Sequence, residues 1–211
     1  QAYAWKACAL GQAYGRGYRD DTDQLISEIM ENINKAVELN NNDFEAHRML
    51  AEVHLSLHEF DKAYDHGFKS FQLNPNDPRV TSVFGEILIR IDKLDKGVEL
   101  LEKAYELDPI PQGQNTSDRR LCALLTGYYL KNDFNKCKDL INDISDIDFK
   151  SWLLSTNIHK KNNFNIDNLN WFVSGSKKFA NIDIELEIDR FHLNNKELSK
   201  TLEKEAKEIL N

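Results

Sequence analysis

Residues 44–77, FEAHRMLAEVHLSLHEFDKAYDHGFKSFQLNPND, are followed by a stretch of 34 residues that repeats their pattern almost position for position. Leu50-Ala51 is answered by Phe84-Gly85, Phe60 by Leu94, Ala63 by Gly97, Ser70 by Ala104 and Pro75 by Pro109. A fixed period of this length, with small residues at set places and a closing proline, predicts two antiparallel helices per unit. Such units bury their apolar faces on one another and grow into a solenoid.

Within the template unit, Asp43 is placed to cap a first helix running to about Leu57, and a second helix is expected from about Phe60 to Leu73. Pro75 stops it, because proline has no amide to donate and disfavours helical geometry at the residue before it. The next unit runs from Asp77 to Arg90, turns at Asp92-Lys93, and continues from Leu94 to Leu107 before Pro109. Ala51, Ala63 and Ser70 must be small where paired helices touch, and filling such places costs about 1–3 kcal/mol. Gly67 and Gly97 each cost about 1 kcal/mol in a helix, which close helix contact would explain.

Working outward, residues 2–14 are rich in alanine and aromatics, and Trp5, Cys8 and Ala9 fall where His47, Leu50 and Ala51 stand in the template. An insertion at 15–22 separates this helix from one expected at about Thr22 to Leu39. Beyond Pro109, Ile110 to Ser117 reads as a loop. A fourth pair follows with its turn at Asn132-Asp133-Phe134, and a fifth, fainter pair with a matching turn at Asn162-Asn163-Phe164. Ile182 to Phe191 and Lys196 to Leu210 read as a short and a longer amphipathic helix closing the array. The expected fold is all-α, a right-handed solenoid of about five helix pairs plus a C-terminal capping helix. Its organisation is a solenoid over 1–178, with the clearest units at 43–109, degenerate units at 118–178, and capping helices at 179–211.

The composition is that of a chain that folds: 41% hydrophobic and 29% charged. With 27 basic against 35 acidic residues, the net charge of −8 disfavours nucleic acid, and no basic face offsets it. No apolar run approaches the roughly 18 residues that span a bilayer. Cys8, Cys122 and Cys137 are odd in number and lack metal-binding spacing, so free thiols in a reducing, cytoplasmic setting are expected, with an extracytoplasmic module of a membrane-anchored regulator as the alternative. Gln1 already lies in a helical pattern, which predicts that the chain is part of something longer.

His47, His54 and His58 have the spacing of one helix face, but HLSLH lacks the glutamate of zinc-binding helices, so structural histidines are expected and no metal. No phosphate-cradling loop and no activated nucleophile is present in the sequence, and neither catalytic residue nor cofactor is assigned. The positions that would line the concave face of the first helices include Lys6, Arg48, Glu52, Arg79, Glu86, Arg119, Thr126 and Tyr129. Mixed charge with aromatic and aliphatic surface suits a peptide or a partner helix. Reversing charge at Arg48 and Arg79 is expected to weaken capture while helical content stays intact.

The small-residue pattern, the aromatic and the closing proline of 43–109 resemble tetratricopeptide (TPR) repeats. The wider layout, AYAWKACALGQAYGRGY with an acidic insertion, then AVELNNNDFEAHRMLAEVHLSLHEFDKAYDHGFKSFQLNPNDP and ELDPI, resembles the C-terminal repeat region of bacterial class III nucleotide cyclases and related regulators. That resemblance implies a non-catalytic sensory or interaction module attached to a signalling domain. Repeat domains that clamp a C-terminal carboxylate carry Lys and Asn where this chain has Lys6 with Leu10, Arg48 with Glu52 and Ser82 with Glu86; Glu52 and Glu86 would face a carboxylate, which argues against that ligand. An oligomerisation scaffold, possible as a homodimer, and an enzyme with a site at 150–195 are the alternatives.

Overall fold

A computed structural model describes residues 2–15, 22–109, 118–191, 193 and 195–210. The described residues form helices and no strand. Five helix pairs follow one another: α1 (Ala2–Gly15) with α2 (Thr22–Leu39), α3 (Phe44–Ser56) with α4 (Phe60–Leu73), α5 (Pro78–Arg90) with α6 (Leu94–Leu107), α7 (Asp118–Leu130) with α8 (Phe134–Leu140), and α9 (Phe149–Lys161) with α10 (Asn170–Lys178). Two helices complete the chain, α11 (Ile184–Asp189) and α12 (Lys196–Leu210). The expected insertion and the 110–117 loop lie, for residues 16–21 and 110–117, outside the described residues. The chain divides into two compact units, Gln1–Ile87 and Leu88–Asn211.

The local reasons for these elements are those of the template. Asp43 caps α3 by accepting from the amides of Glu45 and Ala46, satisfying donors that the first turn leaves unpaired. Asp133, Asp148 and Asp183 cap α8, α9 and α11 in the same way. In the first unit Ala51, Ala63 and Ser70 are all buried between helices, and the Ser70 hydroxyl donates to the Phe44 carbonyl at 2.8 Å. A Cβ on Gly67 would lie 2.8 Å from Ile87 Cδ1 and 3.2 Å from Phe84 Cδ2, so close helix approach does account for this glycine.

The four turns between paired helices that lie among the described residues are built alike. His58, Asp92, Asn132 and Asn163 all take a positive φ, between 55° and 64°. The amide after each reaches back five residues to a helix carbonyl: Glu59 to His54, Lys93 to Leu88, Asp133 to Tyr128 and Phe164 to His159. This is the left-handed closure that ends helices when a short polar side chain tolerates the conformation.

That geometry corrects three sequence-level alignments. Asn163, not Asn162, matches Asn132, so the fifth turn is shifted by one residue and Phe164 stands where Asp133 does. The Asn-Asn pair gave two equally good letters for one left-handed site. His58 lies beyond the end of α3 in the left-handed conformation, so it does not share a helix face with His47 and His54. In α1 the buried positions are Ala4 and Ala7, while Trp5 is 62% exposed and Ala9 is also exposed. A helix of alanines packs on whichever side lets its neighbours come closest, and the aromatic is left outside.

Candidate partner-binding faces

Glu45, Arg48, Glu52, Asp77 and Arg79 of the first unit form a network rather than a set of separate groups. Arg48 is buried, its side chain 6% exposed, with Nη2 donating to Glu45 Oε1 at 2.7 Å and Nη1 to Glu52 Oε2 at 2.6 Å. Burial works against its charge, yet Glu52 and Glu45 outweigh burial and hold the guanidinium above its ordinary range. Arg79 donates to Asp77 Oδ2 at 2.8 Å and approaches Glu45 Oε1 at 3.3 Å, keeping a third of its side chain in solvent. Glu52 and Glu86 are half-buried and Lys6 is exposed. Arg48 is therefore the centre of the network, while Lys6, Glu52, Arg79 and Glu86 carry what charge remains reachable. Reversing Arg48 would strand two carboxylates against a third, so the expectation of unchanged helical content at that position is corrected by its burial.

Beside this network the histidines make a stack that one helix alone could not show. His66 of α4 sits between His47 and His54 of α3, with ring centroids at 5.2 and 5.6 Å. His47 Nε2 faces the Asn41 carbonyl at 3.1 Å and so carries the proton of the neutral ring. Its Nδ1 then accepts from His66 Nδ1–H at 2.9 Å. His54 Nδ1 lies 2.6 Å from Glu59 Oε2. Among the described residues no group of three or more His, Cys, Asp or Glu is arranged to hold a metal ion.

Burial pushes His47 below its ordinary value, with Lys69 adding to the effect, and pushes His66 down with help from His47 and His54. A histidine depressed in the folded state favours folding while neutral, so this contribution is present above the unfolded value of about 6.5 and is lost as pH falls below it. The thermal midpoint is expected to drop between pH 7.5 and 5.5, and His66→Phe, which keeps the ring and removes one titration, to show a smaller drop. Melting curves at the two pH values check this.

In the second unit the corresponding positions are covered. Arg119 is exposed, but Thr126 and Tyr129 are buried. The Thr126 hydroxyl donates to the Cys122 carbonyl at 2.9 Å and the Tyr129 hydroxyl to Asn157 Oδ1 at 2.6 Å. Burial, with Glu205 nearby, pushes the Tyr129 phenol up to about 12. Asn157 in turn donates through Nδ2 to both carboxylate oxygens of Glu205, at 2.9 and 3.0 Å. Sequence reasoning missed Asn157, Glu205 and His66; each becomes meaningful only through a partner 19 or more residues away.

Two buried hydroxyls of residues 150–195 serve the backbone. Thr156 donates to the Trp152 carbonyl at 2.8 Å and Ser151 to the Cys122 carbonyl at 3.4 Å. Burial pushes Cys122 and Cys137 up to about 12 each, so neither is a thiolate at neutral pH. Among the described residues no helix is long and apolar enough to cross a membrane.

No protein-family profile and no curated protein matches the chain. Solved structures do. TTC0263, a thermophilic TPR protein of Thermus thermophilus, superposes with a TM-score of 0.58 at 14% identity, over 89% of this chain and 96% of that one. MamA gives 0.56 at 12% identity over 76% and 94%, and PilW, a type IV pilus biogenesis factor, gives 0.55 at 13% over 85% and 92%. Identity at this level speaks for architecture alone, and the fold of this chain is that of the tetratricopeptide-repeat α-solenoids.

Proposed function

We propose that the chain is a non-catalytic protein-interaction module that takes a partner peptide or helix on the first helices of its pairs. We extend this to service within a larger signalling protein, the arrangement that the resemblance to nucleotide-cyclase repeat regions implies. The observation that supports the reading is the mixed charge left exposed or half-buried on first helices of the first unit, at Lys6, Glu52, Arg79 and Glu86. Of these, Glu52 and Arg79 belong to the ion-pair network around the buried Arg48. Preformed faces of this kind bind with little ordering cost. The free thiols favour a cytoplasmic location.

The test replaces Lys6 by Glu and Arg79 by Gln together, because both reach solvent and neither is the centre of the network. Partner capture from an extract by the immobilised chain is expected to fall at least about tenfold, the scale of losing one or two charge-assisted contacts, with the circular dichroism spectrum unchanged. Undiminished capture by this folded double variant would sink the groove reading. A second reading, a scaffold for self-assembly, is favoured by Trp5 and Tyr3 exposed together on α1. A monomeric mass at every concentration counts against it.

A further inference from the structure

In the second unit the last part of the chain lies across the first helices of three pairs. At the end of α5, Arg90 donates from Nη1 to the Phe191 carbonyl at 2.6 Å. The Phe191 ring packs on Phe149 of α9 with centroids 5.7 Å apart. Further on, Leu202 and Ala206 of α12 are fully buried, and between them Glu205 receives Asn157, which receives Tyr129 of α7. A half-open cavity of about 610 Å³ is lined by Ile89, Thr126 and Leu130 together with Phe191, Leu193 and Lys196. This segment thus packs on α9, and Tyr129 of α7 reaches it through Asn157.

The covering helix is held along one apolar stripe. Of α12, Leu202 and Ala206 are buried, and Leu198, Ile209 and Leu210 pack partly buried against the same core. Its ion pairs, Lys207 with Glu185 and Glu203 and Lys204 with Glu208, are exposed at their lysines, and exposed pairs add little. A terminal helix with two fully buried residues among 15 belongs to the part of a structure that opens first. Its deepest anchors are specific: two apolar residues four apart, with a carboxylate directly before the second, in the pattern Leu-x-x-Glu-Ala. Helix-in-groove recognition uses anchors at this spacing.

We propose that α12 is a displaceable, built-in occupant of a helix-binding groove on the second unit, and that the groove's external partner is an amphipathic helix carrying the same Leu-x-x-Glu-Ala anchor. The carboxylate selects the partner, because an apolar residue in its place would leave the buried Asn157 amide unpaired. In the resting chain the groove is closed to competitors, and apparent affinity for a partner is reduced by the fraction of time α12 stays docked.

Two measurements test this. Hydrogen exchange on the whole chain is expected to show α12 amides exchanging about tenfold or more faster than those of α7 and α9, since α12 opens alone. Equal rates in all three helices would mean that α12 is an inseparable part of the core, and would overturn the proposal. The second uses a dye-labelled peptide of residues 195–210 and fluorescence anisotropy. Leu202→Ala combined with Glu205→Gln in the chain is expected to raise affinity for the peptide about tenfold over the unaltered chain, by freeing the groove. Asn157→Asp added to that variant is expected to abolish the gain by setting like charge against the peptide's glutamate. Peptide binding no better than to the unaltered chain, with the variant still helical, overturns the proposal; if the variant does not fold, hydrogen exchange decides. The inference rests on the reading of the chain as an interaction module. Both measurements use only the chain and its own peptide, so failure here leaves capture at Lys6 and Arg79 to stand or fall separately.

Discussion

A methyl group added at Gly175 is expected to destabilise the second unit by about 3 kcal/mol, the upper end of what overpacking costs. The Cβ of Gly175→Ala would lie 2.2 Å from Trp152 Cδ1 and 2.4 Å from its Nε1. Trp152 cannot retreat. It is fully buried, its indole nitrogen donates to the Phe172 carbonyl at 3.3 Å, and its ring is hemmed in by Phe149, Phe172 and Phe179. The contrast is Gly127, where an added Cβ meets Ile89 Cδ1 and Val98 Cγ2, both at 2.7 Å. Those are methyl ends that can turn aside, so Gly127→Ala is expected to cost less. Urea unfolding of the two variants gives the comparison. Trp152→Phe should recover part of the Gly175→Ala loss when the two are combined, because the smaller ring leaves room; strict additivity would show that the clash is not with Trp152.

Arg48→Met is expected to cost about 3 kcal/mol, the lower end of the range for breaking a buried ion pair. The lower end applies because Glu52 keeps about 30% of its side chain in solvent and Glu45 retains Arg79 at 3.3 Å. The loss comes from leaving Glu45, 12% exposed, short of a partner. Adding Glu45→Gln should therefore restore part of the stability, whereas the same change alone should be mildly destabilising. A chemical-denaturation cycle over the four proteins measures the coupling directly. If Arg48→Met proved neutral, the network would be an ornament of the surface, and the weight given to it as the base of the binding face would be misplaced.

The bounds of α3 to α6 were legible because proline, a capping aspartate and a strict period act within a few residues of one another. The fourth and fifth pairs were legible as helices but not in register, since Asn162 and Asn163 serve equally well on paper for a left-handed site that only one can occupy. Arg48 shows a different limit. Glu45, Arg48 and Glu52 have the spacing of any solvated helix face, and nothing in that spacing reveals that α3 is buried on this side. Tyr129 and Thr126 were placed on the inward face from their positions in the repeat. What covers them was beyond reach, because the apolar stripe of α12 says which side of a helix is sticky and not which surface it meets. The histidine stack was half visible: two rings share α3, but the ring between them comes from α4.

The four left-handed turns have a bearing on how such a chain can change over generations. From His58 to Asp92 is 34 residues, from Asp92 to Asn132 is 40, and from Asn132 to Asn163 is 31. The bend at these four sites is nevertheless the same, held by the same backbone hydrogen bonds and by three kinds of residue. The differences in spacing fall between one bend and the next, while each of these bends keeps the same left-handed closure. Exchange among His, Asp and Asn at such a bend is therefore expected to keep the left-handed closure, and a change in the length of chain between bends to leave each turn as it is.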